Sequence, residues 1–274
     1  MSVPKAQLNS VLLIGAGRMG SALLKGWIAK GIGPVIVVEP KPSAALKSLA
    51  KSKKITLVAA PSAVKAKKLA ACVVAIKPQV LKSEAPILAD FAKTGALMIS
   101  IAAGTDTRRL FQAWGAKAHI VRAMPNTPGA IGQGITGLYA AKGVSTAGKK
   151  TADRLLSALG ETLWVAQEEL IDSVTAVSGS GPAYLFLMAE AMAEAGIAEG
   201  LPRAQAEKLA RATVAGAGAL LAADKSSAAA LREAVTSPGG TTAAALDVLM
   251  AKDGLPALMK RAIHAARKRA EELR

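Results

Sequence analysis

The 274-residue chain predicts a two-part α/β fold. A doubly wound, mostly parallel sheet is expected over residues 1–168, and an all-helical segment over 169–274. Three observations carry this. Short apolar strands alternate with helical stretches from residue 11 to about residue 160. The first strand runs through Gly15-Ala16-Gly17-Arg18-Met19-Gly20 straight into a helix. From about Glu169 onward only helical periodicity remains.

Val11-Leu12-Leu13-Ile14 suits a buried parallel strand, and 21–29 is predicted helical. The glycines at 15, 17 and 20 spell G-x-G-x-x-G. Gly15 permits the tight turn, Gly17 lets backbone approach phosphates, and Gly20 lets helix and strand pack closely. The helix N-terminus offers free N–H groups to an anion. In this strand–turn–helix setting the pattern points to a dinucleotide pyrophosphate; a tight turn without a ligand is the plainer alternative. This crossover makes the sheet Rossmann-type. Residues 35–38 form a second buried strand, ending at Glu39. An acid about 20 residues past the glycines accepts hydrogen bonds from an adenosine ribose. It would repel a 2′-phosphate, with Lys41 partly offsetting this, which favours NADH over NADPH. The alternative is that Glu39 caps the helix begun by Pro42-Ser43.

A helix over 43–50 and a strand over 55–58 follow, then a helical stretch over 62–70 and a strand over 71–76. Pro78 stops that strand, so Lys77 sits at a carboxyl edge, where open α/β sheets bind ligands. Its amine meets a cofactor or is merely solvated. Next come a helix over 80–93, a strand over 97–101, the small-residue turn Ala102-Ala103-Gly104 and a helix over 105–114. The strand over 119–123 ends in Met124-Pro125-Asn126-Thr127-Pro128, a rigid loop with polar groups at the strand tips. Strands over 134–140 and 162–165 flank a helix over 145–159.

In the helical part, Val177-Ser178-Gly179-Ser180-Gly181-Pro182 is expected to turn into a helix, with Pro182 near its first position. Residues 183–196 are apolar around most of their circumference, so burial is expected. The helix over 204–223 carries Ala215-Gly216-Ala217-Gly218-Ala219, a smooth surface for close approach of another helix. A helical segment of this size has little core alone, which favours a subunit interface over internal packing. Further helices are expected over 228–234, 241–250 and 255–273. Ser237-Pro238-Gly239-Gly240-Thr241-Thr242 lies between two of them. Its glycines free the backbone, and the helix start plus the hydroxyls of Ser237, Thr241 and Thr242 can hold a small carboxylate. The plainer alternative is a helix start with Thr241 as N-cap. A dinucleotide site in one part and a carboxylate site in the other point to a dehydrogenase or reductase.

Composition narrows the class. Hydrophobic residues make up 51% but aromatics only 3%, so the core is built mainly from Ala, Leu, Val and Ile. The sole cysteine, Cys72, has apolar neighbours and reads as core filler. With no intrachain disulfide possible, a reducing cytoplasm is expected. Residues 1–10 are polar and give no signal peptide. The longest uncharged stretch, 173–189, is broken by Ser, Gly and Pro and does not suit a membrane span. Two histidines and one cysteine argue against a metal site. The formal charge of +16 raises nucleic-acid binding, but the Lys and Arg are scattered and lack interleaved aromatics. A basic surface that favours small anions is the simpler account.

Seven segments together resemble pyrroline-5-carboxylate reductase, in that family's order and across nearly the whole chain. They are Ile14-Gly15-Ala16-Gly17-Arg18-Met19-Gly20, Ala75-Ile76-Lys77-Pro78, Ser100-Ile101-Ala102-Ala103-Gly104, Arg122-Ala123-Met124-Pro125-Asn126-Thr127-Pro128, Val177-Ser178-Gly179-Ser180-Gly181-Pro182-Ala183-Tyr184, Gly200-Leu201-Pro202-Arg203 and Val235-Thr236-Ser237-Pro238-Gly239-Gly240-Thr241-Thr242. The last is similar to the family's signature. The resemblance implies reduction of 1-pyrroline-5-carboxylate to L-proline with NADPH or NADH, the last step of proline biosynthesis. It implies that Gly15, Ala16, Gly17, Arg18, Met19, Gly20, Ala75, Lys77 and Ala103 serve the cofactor, to which the strand-end positions of Glu39 and Asn126 add two further candidates. Substrate would meet Glu168, Ser237, Gly240, Thr241 and Thr242, with Thr242 hydrogen-bonding the ring nitrogen. It also implies a homodimer with interleaved helical domains, assembling in some members into a pentamer of dimers. Two positions depart from the family. Glu39 stands where many members carry Ser or Thr, and Ala234 replaces an Asn found in some. The substrate's C=N bond is already electrophilic, so no histidine need act; His119 and His264 read as structural or surface residues.

Two other classes stay open. A β-hydroxyacid dehydrogenase shares this plan but places a catalytic Lys on the helix that 182–196 would form, and that stretch has no Lys or Arg. A non-catalytic nucleotide-sensing or nucleic-acid-binding protein would instead exploit the positive charge.

Overall fold

The computed structural model describes residues 9–65 and 68–274. The chain forms two compact units: one runs up to Gly179 and includes Arg267–Arg274, and the other is Ser180–Ala266. The polar residues 1–8 lie outside the described residues.

The first unit is built in the order β1 (Ser10–Ile14), α1 (Arg18–Ala29), β2 (Val35–Val38), α2 (Ala44–Lys51), β3 (Thr56–Val58), β4 (Leu69–Val74), α3 (Pro78–Lys93), β5 (Leu97–Ser100), α4 (Thr107–Trp114), β6 (His119–Met124), β7 (Gly134–Ala140), α5 (Thr146–Leu156), β8 (Gly160–Trp164) and α6 (Leu170–Val174). The strands form one sheet in the order β3-β2-β1-β4-β5-β6-β7-β8. Every neighbouring pair is parallel except β6 with β7. Alternate residues of β1 feed opposite faces. Val11 and Leu13 join a core with Leu23, Leu24 and Trp27 of α1. Leu12 and Ile14 join another with Leu88 and Phe91 of α3 and Leu110 and Trp114 of α4. The sheet is therefore covered on both faces, as its apolar central strands β1, β2, β4 and β5 require. Cys72 is fully buried in the second core, and that burial pushes its thiol well above the ordinary range.

The helix expected over 62–70 does not form. Pro61–Ala63 makes a single 3-10 turn, residues 66 and 67 lie outside the described residues, and β4 already begins at Leu69. Leu69 pairs with Ser10 and buries its side chain in the second core, so sheet burial overrides local helix propensity here. The turn expected over 177–182 is also replaced. Thr175–Gly179 is a π-helical turn running on from α6. The Thr175 hydroxyl donates to the Ile171 carbonyl at 2.8 Å, and the Ser178 hydroxyl to the Val174 carbonyl at 3.0 Å. These bonds occupy carbonyls that a widened helical turn leaves under-used.

The second unit holds α7 (Gly181–Ala198), α8 (Arg203–Ala223), α9 (Ala228–Ala234), α10 (Thr241–Leu249) and most of α11 (Leu255–Glu272). Helices α7 and α8 pack together around Ala193, Ala206 and Ala210, with Gly196 against Leu201 and Ala206. The burial expected for 183–196 is not met within the chain. Leu185, Phe186 and Leu187 are 58%, 68% and 64% exposed. Residues 215–219 are exposed as well. Among the described residues, no helix is long and apolar enough to cross a membrane.

Candidate functional site

In the strand order, β1 lies between β2 and β4, so the winding direction reverses between β1 and β4. Ligands of open α/β sheets bind at such a switch point, outside the carboxyl ends of the strands. The G-x-G-x-x-G loop leaves β1 at this place, and Ala75-Ile76-Lys77 leaves β4 beside it. Gly15 has φ +89°, and a Cβ there would meet Ile76 Cγ2 at 2.7 Å and the Ala75 carbonyl oxygen at 2.8 Å. A Cβ on Gly20 would collide with the Gly15 carbonyl oxygen. Gly17 is different: nothing lies within 4 Å of the place its Cβ would take. That opening, and the lack of any side-chain cap on α1, leaves the first N–H groups of the helix free for a pyrophosphate. Arg18 is exposed there, and Met19 packs against the core.

Glu39 reaches back to this loop. The Ala16 N–H donates to its Oε2 at 2.9 Å, and the Lys41 N–H to its Oε1 at 3.1 Å. It does not cap α2; the Ser43 hydroxyl does, accepting from the Leu46 N–H. Lys77 is the exposed N-cap residue of α3. Ala103 is exposed in the turn after β5. Asn126 follows β6 and holds the start of β7, its Oδ1 accepting from the Ile135 N–H at 3.0 Å. All eleven residues expected to serve a cofactor thus lie at the carboxyl edge of β1, β2, β4, β5 and β6. These residues fit a dinucleotide.

In the second unit, Ser237, Gly240, Thr241 and Thr242 stand together at the start of α10. The N-cap is Gly240, not Thr241, and no side chain caps the helix. Gly239 has φ +68°, and a Cβ on Gly240 would lie 2.5 Å from Ser237 Oγ. The Gly240 N–H donates to the Ser237 carbonyl at 3.0 Å. A glycine cap leaves the N–H groups of the first turn unsatisfied, which suits a small anion better than an ordinary helix start does.

Glu168 lies in the first unit, with both oxygens engaged. Oε1 accepts from the Thr107 N–H at 2.6 Å and from Arg122 Nη1 at 2.7 Å, and Oε2 accepts from the Thr107 hydroxyl. Sequence reasoning passed over Arg122, Thr107 and Asp172. Arg122 offered a signal: a lone arginine inside the apolar strand 119–123 must find a partner when buried. His119 and His264 are both exposed.

A glycine-rich crossover at a switch point, with an acid at the end of the second strand, defines a dinucleotide-binding oxidoreductase class. Residues 10–104 accordingly match a family described as NADP oxidoreductase, coenzyme F420-dependent. Residues 168–273 match one described as pyrroline-5-carboxylate reductase dimerisation. A pyrroline-5-carboxylate reductase of Pseudomonas aeruginosa is 39% identical over 274 residues, covering 100% of this chain and 98% of the relative. The chain belongs to the pyrroline-5-carboxylate reductase family. Among solved structures, the enzyme of Coxiella burnetii matches with a TM-score of 0.88 at 37% identity, over 97% of this chain and 98% of that one. The enzyme of Plasmodium falciparum with NADP bound matches with a TM-score of 0.79 at 26% identity, over the same shares.

Proposed function

We propose that this chain reduces 1-pyrroline-5-carboxylate to L-proline, the last step of proline biosynthesis, in the cytoplasm. Family membership supports the reaction, and the glycine-capped start of α10 is the observation that carries the substrate site. The backbone N–H groups after Gly240, with the hydroxyls of Ser237 and Thr241, hold the substrate carboxylate. Thr242 orients the ring nitrogen and is the residue placed at the reacting bond. The proton arrives with the protonated imine or through the Thr242 hydroxyl and water. Gly15, Ala16, Gly17, Arg18, Met19 and Gly20 cradle the dinucleotide phosphates, with Ala75, Lys77, Ala103 and Asn126 along the same edge. When bound, the reduced nicotinamide supplies the hydride.

NADH is the preferred cofactor in this proposal. The carboxylate of Glu39, held by the Ala16 and Lys41 N–H groups, would accept from a ribose hydroxyl and repel a 2′-phosphate. The working unit is a homodimer, alone or as a pentamer of dimers, built on the exposed apolar surface of residues 169–274. Oxidation of NADH and NADPH in the presence of pyrroline-5-carboxylate tests the proposal. Turnover with NADH favoured is expected; no turnover with either nucleotide would refute it.

A further inference from the structure

The loop between β5 and α4 carries Ala103, and it is pinned at both ends. At its start the Ala102 N–H donates to Ser100 Oγ at 3.3 Å. At its end Thr107 gives its N–H and its hydroxyl to Glu168. In the middle Gly104 takes φ +68°, and the Leu273 carbonyl oxygen lies 2.8 Å from where a Cβ would stand. Glu168 and Leu273 are themselves fixed by charges. Arg122 donates to Glu168 with its guanidinium side chain only 4% exposed. Arg274, next to Leu273, places Nη2 3.1 Å from Oδ2 of the buried Asp172. Arg122 and Asp172 both line a cavity of about 30 Å³ with Ala102, Ala103, Gly104 and Leu273, and against the upward push of burial the Arg122 charge pulls the Asp172 carboxyl downward. The order Glu168, Arg122, Asp172, Arg274 therefore alternates in sign around one turn of backbone.

The strand order says which half of a dinucleotide that turn would face. Glu39 follows β2 and the glycine loop follows β1, while the turn follows β5, two strands beyond β1 on the other side. With the adenosine ribose at Glu39 and the pyrophosphate at α1, the nicotinamide half extends towards β5. We propose that Glu168 and Arg122, supported by Asp172 and Arg274, are positioning residues that hold turn 102–104 in the shape needed by the nicotinamide half of the cofactor. This rests on the assignment of Ala103 to the cofactor, and it gives Glu168 a task other than contact with substrate. A buried charge pair suits that task, because neither partner can move without leaving the other unpaired.

The test uses the full chain with Glu168→Gln, which keeps the side-chain size, and Arg274→Ala, at the solvent-facing end of the charge chain. Binding of NADH and of ADP-ribose, which lacks the nicotinamide, is titrated, and hydrogen exchange at the Ala103 and Gly104 amides is followed without nucleotide. Glu168→Gln should weaken NADH binding about tenfold, leave ADP-ribose binding unchanged and speed exchange at both amides. Arg274→Ala should move the same readouts in the same direction by less. Unchanged NADH binding and exchange in both variants would overturn the proposal, as would equal losses for NADH and ADP-ribose. A raised KM for the imine with unchanged NADH affinity would overturn it in favour of substrate contact. Ala103→Leu separates the underlying assignment. If it leaves NADH affinity intact, the turn does not meet the cofactor; if it weakens NADH while Glu168→Gln does not, only the positioning role falls.

Discussion

Helices α1 and α7 show how differently the two units are finished. Helix α1 buries Gly20, Ala22, Leu23, Leu24 and Trp27 on one face, and the Trp27 indole N–H reaches the Leu155 carbonyl at 2.7 Å. Helix α7 is longer and more apolar, yet Ala193 is its only buried residue among those described. The first unit closes its own core on both faces of a sheet. The second exposes large apolar side chains on α7, α8 and α10, including Phe186, Leu209 and Val248. Large apolar side chains left exposed in this way are what a protein interface covers, and each one, once covered, contributes about 1.5–3 kcal/mol. The proposed dinucleotide site thus lies in a unit with its own closed core, and the proposed carboxylate site in a unit that exposes large apolar side chains.

The sharpest way to break this contrast is to charge α7. Phe186→Glu with Leu187→Glu should convert the oligomer to monomers in light scattering and abolish turnover, while NADH still binds the first unit. Retained oligomers with full activity would show that α7 is not the interface. Next in size is Gly17→Ala. Its Cβ meets no protein atom and its φ is −65°, so stability should change by less than about 1 kcal/mol. NADH affinity should nevertheless fall roughly a hundredfold, because the methyl occupies space meant for phosphate. A smaller change is expected from Glu39→Ser. Removing a carboxylate at contact range from a 2′-phosphate relieves about 1–4 kcal/mol of repulsion. The kcat/KM ratio of NADPH to NADH should therefore rise about tenfold or more.

The smallest effect concerns Asp172. Burial pushes its carboxyl above the usual range, against the opposing pull of Arg274, Arg122 and Arg267, with Glu271 adding to the rise. A carboxyl whose folded value is raised holds its proton more tightly folded than unfolded. Relative to Asp172→Asn, the wild-type chain should lose stability as pH rises from the ordinary carboxylate range through the raised value, and then level off. Urea unfolding at a series of pH values measures the difference.

The sheet was legible because each strand is a short apolar run with a turn signal behind it, and because three glycines fix the first crossover. The helix expected over 62–70 failed where local propensity met a strand that the sheet could bury. Burial of α7 was misjudged because an apolar circumference says that a surface must be covered, not which chain covers it. The glycine cap of α10 was visible as Gly239-Gly240, although sequence alone left Thr241 as an equal candidate for the cap. The charge chain through Arg122 was hidden, since its members come from strand β6, the residues around α6 and the end of α11, and only folding brings them together.

The central claim is a division of labour between two half-sites, and Thr242→Ala tests it most directly. Measured with pyrroline-5-carboxylate and NADH, this variant should bind NADH as tightly as wild type and lose about a hundredfold in kcat/KM for the imine. Wild-type kcat/KM in Thr242→Ala would contradict the claim.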